Sequence, residues 1–139
     1  PRRSNLLRSP AISPAARPLS RPMASLPQPC VRMTSSSARV IFEGLVAVDP
    51  RNAYYYRALG AIYWREGESQ RAIKQFTYAI RVAPRDVSSY VNRAEVYVSN
   101  KEFGRAREDL NKAIERARPE ETALVQKAQA ILEMVNEQP

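Results

Sequence analysis

The side chains that could do chemistry here form a narrow set: 22 Lys and Arg, 14 Asp and Glu, one cysteine and no histidine. Without histidine the commonest general base and metal ligand is missing. A lone Cys30 can build neither an internal disulfide nor a paired-cysteine metal site. The carboxylates stand singly beside basic partners, as Arg105 with Asp109 and Glu108 with Lys112, at the four-residue spacing of surface ion pairs. The glycines number four and form no phosphate-binding loop. The sequence thus predicts no enzyme, no metal site and no cofactor. Binding chemistry is concentrated instead in AYYYRALGAIYW, residues 53–64, where five aromatic rings surround Arg57. Aromatic and Arg side chains are the usual anchors of protein interfaces.

Charge is distributed unevenly. Residues 1–40 hold seven Arg and no acid, which leaves 15 basic against 14 acidic groups from 41 onward. A basic groove for nucleic acid on the later part is therefore not expected. The first 29 residues contain seven prolines, each of which removes a backbone donor and disfavours helix before it. Such Pro/Ser/Arg composition cannot bury enough apolar surface to offset its ordering entropy, so residues 1–35 read as a disordered leader. An Arg-rich, acid-free start also fits an organellar transit peptide. Otherwise a cytoplasmic, soluble chain is expected, since no run reaches the roughly 18 apolar residues of a membrane span.

The elements that position the aromatic stretch follow from a repeat. Residues recur at an offset of 34: Ala38, Ala72 and Ala106; Phe42, Phe76 and Leu110; Leu45, Ala79 and Ala113; Tyr56 and Tyr90; Tyr63 and Tyr97. Spacings of three, four and seven place Tyr56, Leu59, Gly60 and Tyr63 on one helical face. Gly67 supplies a left-handed helix end, and Pro50 and Pro84 stop the helices before them. Helices are predicted near 36–48, 53–66, 69–83, 87–99, 103–117 and 121–136. They group into a half repeat at 36–50, full repeats at 53–86 and 87–119, and a C-terminal capping helix within 120–139. In the third repeat Arg93 replaces Leu59 and Ala94 replaces Gly60, changes expected to weaken packing locally. The unpaired helix at 36–48 should leave Val40, Ile41, Leu45 or Val48 uncovered, an edge that forms a homodimer, recruits another segment, or frays.

This pattern, with Tyr56, Leu59, Gly60, Tyr63, Ala72, Phe76, Ala79 and Pro84, resembles the tetratricopeptide repeat, whose period is 34 residues. The resemblance implies an all-α solenoid of about 2.5 repeats, right-handed, with the first helix of each pair lining a concave groove. On that face fall Tyr54, Arg57, Ala61, Trp64 and Arg65, continued by Ser88, Val91, Asn92, Glu95 and Val98 in the next repeat. The candidate peptide-binding set is Tyr54, Arg57, Ala61, Trp64, Arg65, Val91, Asn92 and Glu95, while Tyr56 and Tyr63 are assigned to the core. One subclass of the family clamps C-terminal carboxylates of chaperones; Arg57 and Asn92 occupy two suitable places, but Ala61 stands where an asparagine is required. Phe42, Leu45, Asp49, Tyr54 to Tyr56, Leu59 to Ala61, and Ala94 with Glu95 also resemble the bacterial type III secretion chaperones of translocator proteins. That resemblance implies a chaperone whose groove takes an extended client segment. A general adaptor that assembles other proteins is the alternative.

Overall fold

Thr34 opens the first helix by accepting a hydrogen bond on its side chain from the Ser37 amide at 3.2 Å, the usual work of an N-cap threonine. The computed structural model describes residues 34–139. The expectation of a disordered leader therefore lies outside the described residues up to position 33, and at its end Ser35 is already helical. Six helices follow: α1 Ser35–Val48, α2 Ala53–Arg65, α3 Ser69–Val82, α4 Val87–Ser99, α5 Phe103–Arg116 and α6 Thr122–Asn136. The all-α repeat architecture is that read from the 34-residue period.

Within each pair, α2 with α3 and α4 with α5, small residues let the helices approach. A Cβ built on Gly60 would lie 2.7 Å from the Phe76 ring, so only glycine fits opposite that phenylalanine. In the next repeat the partner is the smaller Leu110, and Ala94 fits in the same place, fully buried. The two substitutions compensate. Tyr63, Tyr90 and Tyr97 are buried as the core rings of their repeats. Tyr56, assigned to the core by its repeat position, is instead only partly buried and lies against Tyr78, with ring centroids 5.6 Å apart.

Gly67 takes a φ of 81° and ends α2 with the Glu68 amide bonded to the Tyr63 carbonyl at 2.9 Å. Thirty-four residues later the same turn recurs at Lys101, φ 63°, with Glu102 bonded to Tyr97 at 2.8 Å. Here a side chain occupies the left-handed region that favours glycine.

Arg93 overturns the expectation of weakened packing. Its Nε and Nη2 donate to the two oxygens of Asp109 at 2.7 Å each, and its Nη1 donates to Thr77 Oγ1 at 3.0 Å. Helices α3, α4 and α5 are thereby joined by one guanidinium. Asp109 is 2% exposed, so it is not the surface partner of Arg105, which pairs instead with Glu102 at 3.0 Å. Burial disfavours the Arg93 charge, yet the hydrogen bonds and charge of Asp109 hold its pKa above the ordinary value. The corresponding pair in the preceding repeat is Leu59 and Gln75. Both members differ between the two repeats, and only the later repeat carries the charged fork.

Helix α1 contributes no fully buried residue. Phe42 and Val46 pack on the α2–α3 core, and two polar ties hold the helix there: Arg39 to Glu66 at 3.0 Å and the Tyr63 hydroxyl donating to Glu43 at 2.9 Å. Burial, then that hydrogen bond, raise the Tyr63 pKa, keeping the phenol protonated as a donor. Val40, Ile41 and Val48 are exposed, the apolar edge expected on this helix.

Two stability outcomes follow from these contacts. Replacing Lys101 by glycine should stabilise the fold by about 1 kcal/mol, the penalty of a left-handed non-glycine residue, read as a higher urea midpoint. Arg93→Leu alone should cost about 3 kcal/mol by stranding the buried Asp109 charge. Adding Asp109→Gln, which copies the Leu59 and Gln75 pair, should restore most of the lost stability. A single variant as stable as the parent would show that Asp109 does not depend on Arg93.

Candidate functional site

First helices α2, α4 and α6 lie side by side, so their outward faces form one continuous surface. Helix α6 enters this series because Leu124, Ala128 and Ile131 stand 34 residues after Tyr90, Ala94 and Tyr97. It therefore packs in the register of a first helix, with Ala128 fully buried in the cluster that holds Val91 and Ala94.

That stacking corrects one expected site residue. Val91 is fully buried and cannot meet a ligand. Its counterpart Arg57 is likewise spent on the neighbouring repeat: Nη1 donates to both oxygens of Asp86, at 2.9 and 2.7 Å. Asp86 also accepts from the Ser89 hydroxyl. The repeat position shared by Arg57 and Val91 thus joins each first helix to the next. Glu95 behaves similarly, accepting a 3.0 Å ion pair from Lys127 of α6. The roles of Asp86 and Lys127 escaped sequence reading; the 34-residue register of α6 was the signal that could have exposed Lys127.

The remaining candidates stay accessible. Tyr54 is 54% exposed, its ring edge-on to Phe42 with centroids 6.2 Å apart and the Arg57 guanidinium 5.5 Å from its centre. Tyr55 completes a cluster with both rings, 6.4 Å from Phe42 and 6.1 Å from Tyr54. Ala61 is partly exposed on α2. Trp64 is half-buried, its ring packed on the cluster of Leu59, Tyr63 and Phe76. Arg65 is exposed, and among the described residues it has no ion-pair partner. Asn92 is half-exposed, and its amide makes no hydrogen bond among the described residues.

The resulting surface carries rings at the α2 end, a free amide on α4 and one unpaired cation. Such a face can hold an extended segment through aromatic contact and hydrogen bonds to its backbone. Among the described residues no group of His, Cys, Asp and Glu is arranged to hold a metal ion. No helix among them is long and apolar enough to cross a membrane.

A stack of helix pairs presenting a side-by-side face of first helices is a repeat scaffold for binding. The tetratricopeptide repeat family model matches residues 35–76 and 58–122, and the chain belongs to that family. The family is a non-enzymatic one of chaperones and adaptors. The chain is 35% identical over 60 residues to Hsp70-Hsp90 organizing protein 1 of Arabidopsis thaliana, which covers 43% of this chain and about a tenth of that protein's length. Among solved structures it is similar to PcrH of Pseudomonas aeruginosa in complex with the chaperone-binding region of PopD, at 25% identity and a TM-score of 0.71, covering 74% of this chain and 79% of PcrH. It also shares its fold with the TPR2B domain of yeast Sti1 in a complex with pHsp70, at 20% identity and a TM-score of 0.71, covering 76% of this chain and 85% of that one.

The burial of these side chains separates two variants. Tyr54→Ala, at an exposed ring, should change stability by less than about 0.5 kcal/mol. Trp64→Ala should cost about 2 kcal/mol, because the half-buried ring leaves a gap over the Phe76 cluster. Thermal melts of both variants check the difference.

Proposed function

We propose that the first-helix face binds an extended segment of a partner protein, and that the chain serves as a chaperone for type III secretion translocators. The observation that carries the reading is the surface itself: exposed Tyr54, the Trp64 edge, Arg65 and the free Asn92 amide on adjoining helices. Similarity to PcrH, which was crystallised with the chaperone-binding region of PopD, supports the choice of client.

The alternative is an adaptor of the kind represented by the Arabidopsis and yeast relatives. A clamp for a terminal carboxylate needs free cations and amides along the groove, but Arg57 is occupied by Asp86 and Ala61 offers no amide. That arrangement favours a segment held by rings and backbone contacts over one held by its terminal charge. The exposed Val40, Ile41 and Val48 stripe on α1 supports a homodimer contact alongside either role.

Calorimetric titration with a synthetic translocator chaperone-binding segment checks the reading. Binding should survive amidation of the peptide's C-terminus and weaken about tenfold in Tyr54→Ala, which corresponds to about 1.4 kcal/mol. If SRMEEVD, the Hsp90 peptide seen with a related repeat domain, binds and its C-terminal amide does not, the adaptor reading replaces the chaperone reading.

A further inference from the structure

Away from the proposed peptide face, at the loops between repeats, a cleft of about 580 Å³ opens between the α3–α4 and α5–α6 connections. Its floor is apolar, formed by Ala53, Ala83 and Pro84, and its walls carry Arg57, Arg85, Arg116 and Arg118 against a single carboxylate, Asp86. A second hollow of about 600 Å³ adjoins it through Pro84, Arg85, Arg116 and Arg118.

The charges in this cleft are unequally satisfied. Asp86 is consumed by Arg57 and Ser89. Arg116 is fixed by neutral acceptors, the Pro84 carbonyl at 2.9 Å and the Tyr90 hydroxyl, and its guanidinium lies 5.3 Å from the Tyr90 ring centre. Those bonds use Nη1 alone, leaving Nε and Nη2 of Arg116 without a protein acceptor among the described residues. Arg118 approaches exposed Glu120 to 3.8 Å and half-buried Glu121 to 3.6 Å, and its backbone amide donates to Glu121 at 2.8 Å. Arg85 is exposed and forms no ion pair among the described residues.

Helix dipoles account for part of this arrangement. Arg116 lies in the last turn of α5, where a cation complements the carbonyl end. Arg85, however, immediately precedes the N-cap of α4, the end at which a cation is electrostatically unfavourable. Folding gives no reason for a second cation there, and an incoming anion does.

We infer that the inter-repeat cleft is a binding site for an acidic protein segment, with a carboxylate received by Arg85 and Arg116 and an adjacent apolar side chain set on Ala83 and Pro84. Arg116 is pre-oriented by Tyr90 and Pro84, so a planar carboxylate meets a fork already held in place. The site is independent of the client proposed for the first-helix face.

Amide NMR titration of the full chain with the peptide acetyl-Leu-Glu-Glu-Leu-amide tests the inference. Saturable shifts are expected at Arg85, Asp86, Ala117 and Arg118, about tenfold weaker for the Gln-for-Glu peptide and weaker in higher salt. Arg85→Glu, at an exposed position, should abolish the shifts while preserving the spectrum of the fold; Arg116→Lys tests the fork and should weaken binding several-fold. Absence of saturable shifts, equal response to the Gln peptide, or inorganic phosphate binding as tightly as the acidic peptide would each overturn the assignment.

Discussion

A helix pair of this kind has two apolar faces and can bury only one of them within itself. Everything else in the molecule follows from that constraint. The α2–α3 pair presents its second face to α4, the α4–α5 pair presents its own to α6, and α1 covers the opposite end with Phe42 and Val46. Each first helix must therefore give up part of its surface to the next one. Arg57, Val91 and Glu95 are used in this way, through an ion pair with Asp86, full burial and an ion pair with Lys127. Residues left over from stacking, such as Tyr54 and Arg65, are the ones free to meet a partner.

Two repeats solve the same packing problem differently. The second uses Gly60 opposite Phe76 and an uncharged pair at Leu59 and Gln75. The third uses Ala94 opposite Leu110 and the Arg93–Asp109 fork, which also recruits Thr77. Replacing an uncharged pair by a buried ion pair need not gain net stability. The fork does impose geometry, because its five donors lie in one plane and satisfy two helices at once. Conservation of shape across the repeat is thus achieved with different chemistry, and single substitutions taken from one repeat into the other are not interchangeable.

Both proposed surfaces arise at the boundaries of this stacking. The first-helix face is assembled side by side from elements far apart in sequence, whereas the basic cleft gathers two loops and the ends of the helices they join. Arg57 stands between them: it lies on α2 below Tyr54 and lines the cleft through its contact with Asp86. Its charge is committed, so the anion-directed chemistry of the molecule moves to Arg85 and Arg116. The groove is left to aromatic and amide contacts.

Much of the fold was legible because its determinants are periodic and local. The 34-residue register specified helix pairs, their boundaries, the glycine at position 67 and the small residues at the close approaches. The exposed edge of α1 was also legible, since helical spacing puts Val40, Ile41 and Val48 outside the stripe of Phe42 and Val46 that packs on α2 and α3. Only tertiary structure decided which side chains on the expected binding face remain available. Helical periodicity locates a residue on a face, but it cannot say whether the next helix covers that face, and so Val91 read as a contact residue. Pairing of charges was decided at the same level: Asp109 has a four-residue neighbour in Arg105, yet burial makes Arg93 its partner, because a desolvated carboxylate needs a charged donor held in place on the adjacent helix.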